Sequence, residues 1–132
     1  MKAMIYTASD ADYSLFAGIL REEIPGITIT RAPDDGTFRP EKDCDLVVDG
    51  MDGALGMEIA LRCCGSRAKV IWVSNDRHFT RMALSAPVFD FFLRPLTSEK
   101  FRKSVRYFTG GDAIEWTLLP SAMSFGSAAQ QD

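Results

Sequence analysis

The sequence is poor in the residues that build disulfide frameworks, metal clusters and histidine-based catalytic sites. It has one histidine and three cysteines among 132 residues, and no two cysteines have the CxxC spacing of many zinc and redox sites. Two cysteines, Cys63 and Cys64, are adjacent, which favours positions in a helix over a disulfide or a metal site. We therefore expect a reducing, cytoplasmic location.

Long apolar runs and clusters of basic residues are also missing. No apolar run approaches the roughly 18 residues that a membrane-spanning helix needs, and the N-terminus lacks a signal-peptide pattern. The net charge is −3 with scattered basic residues, which argues against direct nucleic-acid binding by this domain. The apolar fraction of 46% and charged fraction of 25% are those of an ordinary globular domain with a core of its own. We expect neither a membrane nor a nucleic acid as a direct partner.

Short apolar segments alternate with segments of helical periodicity along the chain. Strands of this kind suit a parallel sheet that helices cover on both faces. The pattern predicts an α/β domain with a five-stranded, doubly wound parallel sheet. We predict strands at 3–7, 27–30, 46–49, 69–74 and 89–93, with helices after Ser9 or Asp10, over 55–64, over 76–85 and after Thr97.

Two parts of the chain depart from this alternation. The segment 33–42 holds two prolines, a glycine and five charges, so we predict a shortened second crossover, either a loop or a very short helix. After Gly110 and Gly111, residues 113–119 could add one more strand, and the rest reads as a flexible tail. The sequence thus predicts one domain over 1–108 and an extension over 109–132.

Three predicted strands end beside a polar or charged residue. Asp49 ends the third strand, Ser74 ends the fourth, and Arg94 follows the fifth, directly before the turn at Pro95. If these strands are parallel neighbours, the three side chains meet at the sheet edge where open α/β folds bind ligands. A carboxylate, a hydroxyl and a cation in that place suit acceptance of a phosphoryl group by the carboxylate.

The order of these residues resembles the receiver domain of bacterial two-component response regulators. The resemblance covers about 1–108 and is most specific in Phe-Asp-Phe-Phe-Leu-Arg-Pro-Leu at 89–96, followed by Glu-Lys-Phe at 99–101. That passage looks particularly like receivers that precede LytTR-type DNA-binding domains. The resemblance implies a flavodoxin-like (βα)5 fold and a role in phosphorelay signalling rather than enzymatic catalysis.

The resemblance also implies roles for individual residues. It makes Asp49 the acceptor that a histidine kinase phosphorylates, Ser74 the switch hydroxyl, and Arg94 the cation in the place of the family's lysine. Phe91 matches the aromatic residue that changes rotamer on activation. Mg²⁺ would be held by Asp49 together with an acidic pair after the first strand, for which Asp10 is the candidate here.

The predicted site departs from the family pattern in ways that leave two functions open. Thr7-Ala8-Ser9-Asp10 offers one carboxylate where the family has two, so we expect weak or absent Mg²⁺ binding. Arg94 either contacts a phosphoryl group or pairs permanently with Asp49, and Asp52 is either a turn residue or a fallback acidic group. The chain is therefore either a phosphoacceptor or a pseudo-receiver that acts as a phosphorylation-independent interaction module.

Aromatic residues on the last strand bear on association. Phe91 and Phe92 must face opposite sides of the sheet, so we expect one of them near the surface formed by the last two helices and the fifth strand. We predict a homodimer through that surface, with a histidine kinase or another signalling protein as a further partner. His78 is predicted to be an exposed surface residue.

Overall fold

The chain folds as one parallel sheet with helices on both faces. In the computed structural model of the protein, residues 1–33 and 43–110 are described. The elements within these ranges are β1 (Lys2–Tyr6), α1 (Asp10–Glu23), β2 (Thr28–Arg31), β3 (Leu46–Asp49), α2 (Gly53–Cys63), β4 (Lys69–Ser74), a 3-10 turn (Arg77–Phe79), α3 (Thr80–Ser85), β5 (Asp90–Leu93) and α4 (Ser98–Thr109).

The strand order is β2-β1-β3-β4-β5, and all neighbouring strands are parallel. The predicted five-stranded, doubly wound sheet is confirmed. Because β3, β4 and β5 are parallel neighbours, Asp49, Ser74 and Leu93 end them at the same side of the sheet. We call this side, together with the loops that follow the strands, the carboxyl edge.

Two hydrophobic clusters lie on the two faces of the sheet. The first contains residues of α1 and α4, such as Phe16 and Phe101, whose rings are 4.9 Å apart. The second contains residues of α2 and α3, such as Ile59 and Ala83, packed around the fully buried Trp72. Burial of each large side chain stabilises the fold by about 1.5–3 kcal/mol, so the sheet is held firmly from both sides.

The helix boundaries follow from local capping. Ser9, and not Asp10, is the N-cap of α1, since its side-chain oxygen accepts a hydrogen bond from the Asp12 N–H at 3.1 Å. Thr97 caps α4 in the same way through the Lys100 N–H at 3.2 Å. The helix predicted over 76–85 is a 3-10 turn followed by the six residues of α3. The predictions of a short second crossover and of a strand at 113–119 concern residues that lie outside the described ranges, apart from Pro33.

Phe91 and Phe92 lie on opposite faces of β5, as strand alternation predicts. Each is only 5% exposed, Phe92 in the cluster under α1 and α4 and Phe91 in the cluster under α2 and α3. Phe91 contacts Trp72 edge to face, with ring centroids 4.9 Å apart. The expectation that one of them lies near the surface is wrong, because helices cover both faces of the strand.

None of the described helices is both long and apolar enough to cross a membrane.

Candidate functional site

The carboxyl edge brings four loops together around Arg94. Its Nη2 atom lies 2.7 Å from Asp12 Oδ2 and donates to the Gly50 carbonyl oxygen at 2.9 Å. Its Nε atom donates to Asp52 Oδ1 at 3.2 Å. The same Asp52 oxygen accepts the backbone N–H of Asn75 at 3.2 Å. We call Arg94, Asp12, Asp52 and the Gly50 carbonyl the Arg94 cluster.

The geometry of the cluster holds the cation in place. The side chain of Arg94 is 24% exposed and that of Asp12 is 23% exposed, so both charges are partly withdrawn from water. Burial by itself would lower the pKa of Arg94, but Asp12 and then Asp52 more than offset that effect and raise it. Arg94 is therefore a permanent cation whose charge two carboxylates already balance.

Asp49 lies outside this cluster. It is fully buried, and its Oδ1 atom accepts the backbone N–H of Met51 at 3.1 Å. Its Oδ2 atom has no hydrogen-bond partner among the described residues. Within those residues the ion-pair partners of Arg94 are Asp12 and Asp52, so the permanent Asp49–Arg94 pair considered above is not formed.

Strand alternation explains where the Asp49 side chain points. Val47 belongs to the cluster under α2, and Asp49, two residues later, shares its face of β3. Burial raises the pKa of Asp49 well above its ordinary range, and the nearby negative charge of Asp52 adds to the effect. Burial likewise raises the pKa of the Cys63 thiol of α2 to about 12, with a smaller contribution from Asp49. The surroundings of Asp49 thus favour its neutral, protonated form.

Gly50 is the residue that faces Arg94. A Cβ atom added at Gly50 would lie 3.5 Å from Arg94 Nη2 and 3.0 Å from Phe16 Cε2. A side chain at this position would therefore meet the guanidinium, whereas the side chain of Asp49 points to the other face. Gly50 was not among the residues predicted for the site. Strand alternation predicts that the side chains at positions 49 and 50 point to opposite faces of the sheet.

Ser74 is fully buried at the end of β4, and its hydroxyl takes part in a local turn. Its Oγ atom accepts the backbone N–H of Asp76 at 3.1 Å. Within the described part of the chain no hydrogen bond joins this hydroxyl to Asp49 or Arg94, although the Arg94 backbone N–H donates to the Ser74 carbonyl oxygen at 2.9 Å. Sheet topology brings the predicted trio of Asp49, Ser74 and Arg94 to one edge, but among the described residues no hydrogen bond or ion pair joins their side chains to one another.

Asp10 points away from the acceptor region. Its side chain is 92% exposed and pairs with Arg31, whose Nη1 atom lies 2.7 Å from Asp10 Oδ1. Arg31 also donates to the Thr7 carbonyl oxygen at 3.1 Å. The carboxylate of the first helical turn that reaches Arg94 is that of Asp12, two residues further along α1.

The donor set at this edge does not fit a bound Mg²⁺ ion. Asp12 and Asp52 are engaged by a permanent cation, Asp49 is held toward its neutral form, and Asp10 is paired with Arg31. Among the described residues, no group of three or more His, Cys, Asp or Glu side chains could hold a metal. Mg²⁺ prefers several hard oxygen ligands in near-octahedral geometry, which this arrangement does not offer.

The loop after β3 is held by close backbone packing. Gly56, in the first turns of α2, is buried, and a Cβ atom added there would lie 1.8 Å from the Met51 carbonyl oxygen. No side chain larger than hydrogen fits this contact. The contact therefore fixes the loop that carries Gly50 and Asp52 relative to α2.

An open cavity of about 420 Å³ lies beside Arg94 at the ends of β4 and β5. His78 lines it, and its side chain is 88% exposed and contacts Asp76 at 2.9 Å, which confirms the prediction of a surface histidine. The cavity leaves one side of the Arg94 cluster open to solvent.

The comparisons with known proteins identify the fold. No protein-family model matches the chain, and neither does any curated protein. A signal receiver domain of two-component signal transduction (histidine kinase) from Clostridium thermocellum has a TM-score of 0.66 and 16% identity, over 81% of this chain and 95% of that one. The response regulatory domain of protein mrkE from Klebsiella pneumoniae has a TM-score of 0.64 and 15% identity, over 84% and 97%.

A third solved structure has the same fold under a different description. It is a candidate CpaE2 pilus assembly protein from Sinorhizobium meliloti 1021, with a TM-score of 0.57 and 18% identity, over 82% of this chain and 99% of that one. Identities this low establish the fold and not the activity. The chain has the flavodoxin-like fold of response-regulator receiver domains.

Proposed function

We propose that the protein is a phosphorylation-independent pseudo-receiver, a cytoplasmic interaction module of two-component signalling. The observation that carries this proposal is that Gly50, which has no side chain, occupies the position facing Arg94. The cation that would contact a phosphorylated acceptor is turned instead toward Asp12 and Asp52. Position 50, where a side chain would face that cation, therefore has no carboxylate that could accept a phosphoryl group.

The state of Asp49 supports the same proposal. A carboxyl group must be ionised to attack phosphorus efficiently, and burial raises the pKa of Asp49 well above its ordinary range. A phosphoryl group on Asp49 would also bring negative charge into a fully buried position that has no cation in contact with it among the described residues. The cost of burying such an unpaired charge is high.

The fold by itself does not decide between the two functions. One of the chains with this fold is described as a pilus assembly protein and not as a response regulator. Function must therefore be argued from the site, and the Arg94 cluster differs from a phosphoacceptor site in its charge balance.

Phosphorylation of Asp49 is the second candidate, and one observation favours it. The Oδ2 atom of Asp49 has no hydrogen-bond partner among the described residues, so it keeps a lone pair for a new bond. In this alternative, a histidine kinase would be the donor, Ser74 and Arg94 would contact the phosphoryl group, and Phe91 would change rotamer.

Incubation with a small-molecule phosphodonor and Mg²⁺ tests the proposal. We expect intact-mass spectrometry to find no gain of a phosphoryl group, with and without a tenfold excess of donor. Asp49→Asn is the matched control, since it removes the carboxyl group that the second candidate function makes the acceptor. A phosphoryl adduct in the wild type that disappears in this variant would overturn the proposal in favour of the second candidate.

A homodimer and a signalling-protein partner complete the proposed function. The surface in question is formed by α3, β5 and α4, and β5 is the last strand of the sheet. Leu84 of α3 is 58% exposed and Met82 is 36% exposed, which is unusual for large apolar side chains on so short a helix. Phe89, which directly precedes β5, and Phe108 of α4 have ring centroids 6.0 Å apart and pack against the cluster under α1 and α4. The exposed apolar side chains of α3 are therefore the features that support self-association.

Sedimentation of paired variants tests the dimer. Leu84→Glu should reduce self-association, because it places a charge in the proposed interface. Leu61→Glu is the matched control, since Leu61 is also an exposed leucine, at 41%, and belongs to α2, which is not part of the proposed interface. A wild-type protein that sediments as a monomer at high concentration would contradict the dimer.

A further inference from the structure

The Arg94 cluster resembles a metal-ion site in which a guanidinium group takes the place of the ion. Two carboxylate groups, on the first turn of α1 and on the loop after β3, approach one another near a backbone carbonyl oxygen. All three oxygen atoms lie 2.7–3.2 Å from nitrogen atoms of the same guanidinium. The side chain of Asp12 is 23% exposed and that of Asp52 is 45% exposed, and two carboxylates that approach one another repel unless a cation lies between them.

We infer that Arg94 is the built-in cation of the carboxyl edge: it takes the place that a divalent metal ion would otherwise occupy between Asp12 and Asp52, and it positions the surrounding loops without metal or phosphate. This inference deepens the proposed phosphorylation-independent function and rests on it for its biological meaning. Arg94 is a positioning residue in this account and not a catalytic one.

The contacts of the cluster show which segments the cation joins. Arg94 itself follows β5, Asp12 belongs to α1, and Gly50 and Asp52 belong to the loop after β3. Asp52 extends the connection to the loop after β4, because it also accepts the Asn75 N–H at 3.2 Å. One side chain thus holds four segments of the carboxyl edge in a single arrangement.

The chemistry of arginine suits this role better than that of lysine. A guanidinium is planar and carries several N–H donors in fixed directions, so Nε and Nη2 can bind two different carboxylates at once. It also stays charged over the whole physiological pH range. A lysine ammonium is a compact point charge and would not reproduce the same pair of directed contacts.

A divalent ion would compete with Arg94 for the same oxygen atoms. Its binding would require the guanidinium to leave and would then place two cations side by side in a partly buried cluster. Removal of the guanidinium should therefore uncover a weak metal site formed by Asp12, Asp52 and the Gly50 carbonyl oxygen. This consequence is specific to the inference, because an ordinary structural salt bridge leaves behind only a destabilised protein.

Binding of Mn²⁺ to four full-length proteins tests the inference, with calorimetry and the paramagnetic broadening of nearby NMR signals as readouts. We expect no saturable binding to the wild type at millimolar Mn²⁺ and a gain of at least tenfold in affinity for Arg94→Met. The gain should be lost in Arg94→Met/Asp12→Asn. Arg81→Met, which alters an exposed arginine of α3, should behave as the wild type.

Thermal melts provide a second readout for the variants that fold. Mn²⁺ should raise the melting temperature of Arg94→Met and leave that of the wild type unchanged, because ligand binding to the folded state stabilises it. Arg94→Lys should restore part of the lost stability and should not bind Mn²⁺.

Two outcomes would overturn the inference. One is saturable Mn²⁺ binding to the wild type that Asp12→Asn abolishes, since metal and arginine would then coexist. The other is the absence of any binding or thermal shift in Arg94→Met. Neither result depends on the phosphodonor experiment, so failure of the built-in cation and failure of the phosphorylation-independent function can be told apart.

Discussion

Two aspartate environments at the carboxyl edge lie close together and differ in kind. In the Arg94 cluster, Asp12 and Asp52 share a permanent cation and remain partly exposed. One residue before Gly50, Asp49 is fully buried, has an unpartnered oxygen among the described residues, and is held toward its neutral form. The difference shows that carboxyl groups near one another at a single edge of the sheet can differ completely in exposure and in charged partners.

The largest difference in the free energy of unfolding is expected between a substitution in the Arg94 cluster and one at Asp49. Arg94→Ala leaves Asp12 and Asp52 without their shared cation and should lower the free energy of unfolding by about 2 kcal/mol, less than for a fully buried pair. Asp49→Asn should change it by less than about 1 kcal/mol near neutral pH, because the carboxyl group it replaces is already favoured in its neutral form. Urea denaturation of both variants measures the contrast, and equal losses would remove the distinction.

A pair of glycine substitutions sharpens the comparison at the point where the two environments meet. Gly50→Ala brings a methyl group to 3.0 Å from Phe16 and should destabilise the protein by about 1–2 kcal/mol. Gly18→Ala has no atom within 4 Å of the added carbon and lies inside α1, so the same change should stabilise the protein. Thermal melts of the two variants should shift in opposite directions. A stabilising Gly50→Ala would mean that the space facing Arg94 is open.

The dependence of stability on pH separates buried neutral carboxyl groups from paired ones. Burial raises the pKa of Asp90 from 3.8 to about 6, and its Oδ2 atom accepts the Ser104 hydroxyl at 2.8 Å. The folded state then binds more protons than the unfolded state between these values, so stability should fall as the pH rises from about 4 to about 6. Asp90→Asn should flatten this slope.

Denaturation midpoints of the wild type and Asp90→Asn, measured at several pH values, test the assignment. Burial shifts the pKa of Asp49 in the same direction, so part of the slope should survive in Asp90→Asn. An unchanged slope in Asp90→Asn would show that Asp90 is not the group responsible.

The smallest effect is expected at the exposed counterpart of the Arg94 cluster. Arg31 is the last residue of β2 and also pairs with an aspartate of the first turn of α1, but that aspartate, Asp10, is 92% exposed. Exposed ion pairs contribute little because water screens them. Asp10→Asn should therefore leave the denaturation midpoint unchanged within error, and its effect should stay small in low salt. A loss of stability as large as that in Arg94→Ala would contradict the expected difference between the exposed Asp10–Arg31 pair and the Arg94 cluster.

The sequence predicted the fold better than it predicted the site. Apolar runs such as Leu46–Asp49 and Lys69–Ser74 are short and buried on both faces, which indicates a parallel sheet without knowledge of its loops. The strand-end positions of Asp49 and Ser74 and the place of Arg94 after β5 followed from the same pattern. The three residues lie at one edge because β3, β4 and β5 are parallel neighbours.

The contacts at that edge could not be predicted from the same information. Which carboxylates meet Arg94 depends on how far α1 and the loop after β3 reach, and Asp12 is separated from Arg94 by most of the chain. Asp10 and Asp12 are both aspartates of the first turn of α1, yet Asp10 pairs with Arg31 and Asp12 with Arg94. Strand alternation predicts the face of the sheet to which Asp49 points. The match of a strand-end aspartate to the family pattern does not contain that information.

The contact at Gly56 determines which substitutions the loop after β3 can accept. Since the Met51 carbonyl oxygen lies 1.8 Å from the position of any Cβ atom, every mutation at residue 56 must move the backbone of either the loop or α2. A saturation library should therefore recover glycine alone at this position. By contrast, its neighbour Met57 is partly exposed and should accept many residue types. The geometry of the Arg94 cluster thus depends on a residue, Gly56, that is not one of its members.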